Sequence, residues 1–221
     1  MPKCGTRHAR DSMPWLTHAS SRGTHAGWWG LPLSVKELPS FALVREPLSW
    51  YVSMYTFEGN REWLDYFGFT RRNDWENWPE ILRKMTNPDP DWAKSRGAID
   101  SAAFTRSNVL PDMAEFGIGL WSWWLLYSCG RSEKVDPRED LAPVQMLWLH
   151  EEREKHINAL SSIDGKKSLQ GVSRRASDHP SVESLYTDDL RALVQERDGP
   201  TYAKALAKPS GVEYPSTYAT V

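Results

Sequence analysis

Apolar residues along this chain gather into blocks separated by stretches rich in Pro, Gly and Ser. Phe41-Ala-Leu-Val44 is a continuous apolar run bounded by Pro39 and Arg45. It predicts a strand buried on both faces of a parallel sheet. Leu48, Val52 and Tyr55 then recur at helical spacing, and Pro47 suits the first turn of that helix. Residues 7–16 predict a helix made irregular by Pro14, and 20–30 a loop with a short extended piece. Residues 33–38 predict a helical turn ended by Pro39. The aromatic-rich segment 60–70 is amphipathic. Residues 75–83 read as a helix with Pro79 near its start, and 87–92 as a turn-rich loop. Residues 111–129 predict one helix with a broad apolar face, capped by Gly130. Residues 131–141 hold a poorly written strand. Residues 146–160 predict a helix, with His150 and His156 solvated among charges. A polar loop follows over 161–185, then a last amphipathic helix over 184–197. Residues 1–207 are expected to form one domain and 208–221 a flexible tail. No internal repeat is visible.

Charge narrows the function classes. Across 221 residues the formal net charge is −2, which argues against a general nucleic-acid binder. An anion site must therefore be a local concentration of cations. No apolar run approaches membrane-spanning length, and the first residues carry no apolar signal segment, so a cytoplasmic protein is expected. Cys4 and Cys129 do not make a disulfide framework. The chain has 12 Trp against 6 Phe; tryptophan of this kind is read as core filler, not as evidence for a sugar or aromatic substrate.

Candidate chemistry begins at Pro2-Lys3-Cys4-Gly5-Thr6-Arg7. Gly5 lets the backbone turn tightly and approach a ligand. Helix-compatible sequence follows, and a helix start offers N–H groups and a positive dipole end to an anion. Lys3 adds an ammonium and Thr6 a hydroxyl, so the segment reads as a cradle for phosphate or sulfate. Arg45 falls at the carboxyl end of the predicted strand, where ligands of open α/β sheets bind. It can grip a phosphate through two N–H groups, with Ser53 donating from the helix that follows. Ser49 and Ser53 lie one turn apart on it.

These segments, with Thr24-His25 between them, resemble the sulfotransferase family. Its members transfer a sulfuryl group from 3′-phosphoadenosine-5′-phosphosulfate (PAPS). The family's 5′-phosphosulfate loop commonly reads Pro-Lys-x-Gly-Thr-Thr/Ser. Its 3′-phosphate motif is a strand, then Val-Arg-(Asn/Asp/Glu)-Pro, then a serine at the position of Ser53. The resemblance implies an α/β fold with a central parallel sheet flanked by helices, the P-loop NTPase-like sulfotransferase fold. Here that fold is expected to be helix-rich; only Met1 and Pro2 precede Lys3 in this sequence, so either the first strand is lacking or truncated, with a partner or another segment in its place, or the true start lies upstream. It implies that Lys3, Cys4, Gly5, Thr6 and Arg7 hold the 5′-phosphosulfate, with Arg7 standing where the family has a second hydroxyl. Arg45 and Ser53 would hold the 3′-phosphate. His25 would be the base, with His18 as competitor, and Arg174, with Ser173, would reach the nucleotide from a late loop. PAPS is the co-substrate, no metal is needed, and the acceptor is a small molecule or carbohydrate with a hydroxyl or amine.

Two other readings compete. One is a non-catalytic protein of the same fold that binds a ligand or partner. The other is a nucleotide-dependent, kinase-like P-loop enzyme. That enzyme would want Gly-x-x-x-x-Gly-Lys-Ser/Thr, whereas here the lysine precedes the glycine.

Overall fold

The structure, a computed structural model, describes residues 27–37, 40–56, 61–69, 75–101, 104–148 and 180–208. A 3-10 turn at Trp28–Gly30 leads to the short helix α1 (Leu33–Lys36), strand β1 (Phe41–Val44) and helix α2 (Pro47–Tyr55). Helix α3 (Arg61–Tyr66) follows, then a 3-10 turn at Trp75–Asn77, α4 (Trp78–Thr86) and α5 (Pro90–Arg96). Strands β2 (Ile99–Ser101) and β3 (Phe104–Ser107) precede α6 (Val109–Phe116) and α7 (Leu120–Cys129). Strand β4 (Gln145–Trp148), α8 (Val182–Leu185) and α9 (Asp188–Leu206) complete the order.

The expected central parallel sheet is not what these residues form. They are predominantly helical, and their strands make two separate two-stranded ladders. In the first, β1 runs parallel to β4, with Phe41 opposite Gln145 and Val44 opposite Trp148. In the second, β2 runs antiparallel to β3. The α/β sulfotransferase fold is therefore withdrawn for the described part of the chain. The apolar bulk explains why. The largest fully buried side chains sit on helices: Trp50, Tyr51 and Tyr55 on α2, Trp78 and Leu82 on α4, and Trp121, Trp123 and Trp124 on α7. Helix α7 is apolar nearly all round, the signature of a helix enclosed on every side. It packs against α2, α4, α6 and α9, and Trp123 stacks on Tyr127 at 5.1 Å. Among the described residues, Trp50, Trp63, Trp78, Trp121, Trp123 and Trp124 are core, and Trp28, Trp29, Trp75 and Trp92 pack half-buried against it.

Local signals placed several boundaries. The apolar run is β1, Pro47 stands in the first turn of α2, and a helix begins at Trp78 with Pro79 in its first turn. Five expectations need correction. The turn-rich segment 87–92 already contains the start of α5, because the Asp89 carboxylate accepts from Trp92 N–H at 2.9 Å and Pro90 takes the first turn. The single helix over 111–129 is two helices. Gly117 adopts φ 62° and closes α6, with Ile118 N–H bonded to the Met113 carbonyl at 3.1 Å. The helix expected from 146 begins instead as strand β4, whose partner β1 is distant in sequence; residues 149–160 lie outside the described residues. The last helix does not stop at 197. It runs through Asp198, Gly199 and Pro200 to Leu206, after a break at Tyr186 and Thr187. Residues 131–141 form turns, not a strand.

Candidate functional site

Of the residues expected at a site, Arg45 and Ser53 are described. Lys3, Cys4, Gly5, Thr6, Arg7, His25 and Arg174 lie outside the described residues, as do His18 and Ser173. Arg45 occupies the link between β1 and α2. Its Nε donates to Ser49 Oγ at 3.0 Å. Ser49 and Ser53 are one turn apart on α2, and both are buried, at 6% and 8% exposure. Ser49 and Ser53 therefore lie in one row on α2, and Arg45, in the link before the helix, reaches that row through Ser49. The sequence identified Arg45 and Ser53 and placed Ser49 one turn from Ser53. It did not foresee that Ser49 orients the guanidinium.

Glu46 was not singled out. Its carboxylate caps α2, accepting from Leu48 N–H at 2.8 Å and Ser49 N–H at 2.6 Å. Glutamate is not a favoured capping residue, so no sequence rule pointed to it, although an acidic residue just before a helix-starting proline suits the dipole. The cap has a chemical consequence. Two first-turn N–H groups of α2 are already occupied by an anion of the chain itself. A phosphate arriving here would be met by the Arg45 side chain and the serine hydroxyls, not by those N–H groups.

Behind this row lies a buried polar cluster. Asp198, from the middle of α9, is fully buried. One carboxylate oxygen accepts from Ser122 N–H at 3.0 Å, in the first turn of α7. The other accepts from the Tyr51 hydroxyl at 2.7 Å. Tyr51 Oη in turn accepts from Trp121 N–H at 3.2 Å. Helix α7 is thus capped by a carboxylate from another helix. Gly119 makes the approach possible: a Cβ there would stand 2.5 Å from both Asp198 oxygens and from Tyr51 Oη. Burial pushes the Asp198 carboxyl up to about 6, opposed in part by hydrogen bonds from Ser122 and Tyr51. Burial first, then the Asp198 charge, holds the Tyr51 phenol well above its ordinary range. Tyr186 is also pushed up, by burial and then by the charges of Glu46 and Asp198. Its hydroxyl donates to the Leu48 carbonyl at 2.8 Å, tying the segment before α9 to the first turn of α2. Both phenols remain O–H donors at ordinary pH.

No family model, curated protein or solved structure matches the chain.

Next to Arg45 in sequence, a cavity of about 320 Å³ opens between the start of α2 and the middle of α9. Pro47, Leu48 and Val194 give it apolar walls, and Glu46, Arg191, Gln195 and Tyr202 give it polar ones. Trp121 connects the cavity to the Arg45 link. Its indole Nε1–H donates to the Arg45 carbonyl at 2.8 Å, and its ring meets Tyr202 edge-on at 5.8 Å. The described residues of the candidate site are thus a part-buried cation, two buried hydroxyls and an adjoining cleft of mixed polarity. Among the described residues, no helix is long and apolar enough to cross a membrane.

Proposed function

We propose that the chain is a sulfotransferase that takes PAPS as sulfuryl donor and a hydroxyl or amine as acceptor. One observation carries this reading: Arg45 follows a strand directly and is aimed by Ser49, which shares a face of the next helix with Ser53. That is a cation with flanking hydroxyls, at the positions where the sequence resembles a 3′-phosphate motif. The residues fit a phosphate monoester. A partly desolvated guanidinium bonds such a dianion strongly, and the adjacent Glu46 carboxylate accepts from two N–H groups of the α2 cap.

The reaction is an in-line displacement. The acceptor oxygen or nitrogen forms a bond to sulfur as the bond from sulfur to the bridging phosphate oxygen breaks. The acceptor proton passes to a base, for which His25 is suited. Lys3 would stabilise the departing phosphate. Gly5, Thr6 and the N–H groups of Cys4 to Arg7 would hold it, and Arg174 would add charge near the nucleotide. Catalysis of this kind is mostly positioning and electrostatic stabilisation.

The test is calorimetric binding of 3′-phosphoadenosine-5′-phosphate against AMP. The 3′-phosphate should tighten binding, and Arg45→Ala should abolish that preference, a loss of about 10-fold or more for a charge-assisted pair. Equal binding of the two nucleotides, or an unchanged preference in Arg45→Ala, refutes the reading.

A further inference from the structure

We infer that Trp121 is the positioning residue for Arg45, and that the Asp198–Tyr51 pair holds Trp121 in place for that task. The inference rests on the reading of Arg45 as an anion-binding residue. The Arg45 carbonyl belongs neither to the β1·β4 ladder, which ends at Val44, nor to α2, whose first acceptor is Glu46, bonded to Trp50 N–H at 3.0 Å. A partly buried backbone carbonyl needs a partner, and the indole N–H of Trp121 supplies it at 2.8 Å. That bond fixes the peptide plane between Arg45 and Glu46. It therefore fixes the direction in which the Arg45 side chain leaves the backbone, before Ser49 steadies the guanidinium from the other end.

Trp121 is itself tightly set. It lies in the first turn of α7, it is fully buried, and its backbone N–H is held by Tyr51 Oη. Tyr51 is held by Asp198, and Asp198 also caps the neighbouring Ser122 N–H. Two phenols face this cluster: Tyr51 from α2, and Tyr186 from the segment before α9, whose charge would couple to both Asp198 and Tyr51. Arg197, the chain neighbour of Asp198, is directed to the Gly117 carbonyl and to Glu196. The cluster thus fixes α7 relative to α2, and Trp121 transmits that registration to the Arg45 link.

Trp121→Phe keeps an aromatic ring near Tyr202 and deletes the indole donor together with part of the ring volume, a loss that the control variant shares. Trp123→Phe is the control: it also deletes a buried indole bond, to Asp112 at 3.0 Å, on the same helix but away from Arg45. Two readouts separate positioning from general stability. The first is exchange of the Arg45 Nε–H in the ligand-free protein, followed by nitrogen-15 NMR. The second is affinity for 3′-phosphoadenosine-5′-phosphate relative to AMP. Trp121→Phe should speed Nε–H exchange and weaken the 3′-phosphate preference by about 5- to 10-fold, as expected for one hydrogen bond. Trp123→Phe should change neither, while lowering stability to a similar degree. Unchanged Nε–H exchange in Trp121→Phe, or equal effects of the two variants, overturns the inference. Wild-type protein that shows no 3′-phosphate preference overturns the sulfotransferase reading instead, and the exchange result still decides whether Trp121 positions Arg45.

Discussion

Asp198 gives the fold a pH dependence with a definite sign. Burial raises its carboxyl from an ordinary 3.8 to about 6. The folded state therefore holds a proton that the unfolded chain releases. This contribution to stability is fully present below pH 3.8 and is lost as pH rises to about 6. A shift of about two units corresponds to roughly 3 kcal/mol, a sizeable share of the ~5–15 kcal/mol that keeps a domain folded. Other carboxylates act in the opposite direction; Asp136, lowered to about 2 chiefly by its hydrogen bond with Arg138, is one. The Asp198 contribution must therefore be read as a difference between wild type and Asp198→Asn. Asparagine keeps the size. Its carbonyl still accepts from Ser122 N–H, its amide can donate to Tyr51 Oη, and the phenol can turn its proton toward the Met85 carbonyl, 3.4 Å away. The assay is urea unfolding at intervals from pH 4 to pH 8. Wild type should lose stability relative to Asp198→Asn by about 2 kcal/mol between pH 4 and pH 7, since part of the contribution is already lost at pH 4, with the change complete by about pH 7. A difference that does not vary with pH would refute the argument, because the carboxyl would then titrate alike in folded and unfolded chains.

Two further substitutions probe how the helices are set. Gly119→Ala places a methyl 2.5 Å from the Asp198 oxygens and from Tyr51 Oη. It should destabilise by about 3 kcal/mol through overpacking and a broken cap, read as a lowered midpoint in thermal unfolding; a change under ~1 kcal/mol would show that the cap is not tightly formed. Asp89→Ala removes the exposed cap of α5. It should cost about 1 kcal/mol in urea unfolding and leave 3′-phosphate preference untouched.

The limits of the sequence follow from range. Pro47, Pro79 and the run Phe41–Val44 act on their own neighbours, and the elements they predict are present. The same local reading ended the last helix at residue 197, just before Asp198-Gly199-Pro200. In the fold the helix continues, and Asp198 is instead consumed by partners 76 and 147 positions away, at Ser122 and Tyr51. A buried carboxylate that caps a distant helix leaves no periodic signature, and neither does the glycine that makes room for it. The sheet expectation failed for a related reason. An apolar strand beside an arginine reads as the centre of a parallel sheet, but whether further strands flank it depends on where the bulk of the apolar surface lies, and here that surface lies on helices. Part of the candidate site shows the local regime: Ser49 and Ser53 share a row of α2 by the helix's own repeat, and Arg45 lies only four positions before Ser49, within reach of its hydroxyl. Trp121 was not legible, because only the packing of α7 against α2 carries its indole to the Arg45 carbonyl, 76 positions earlier in the chain.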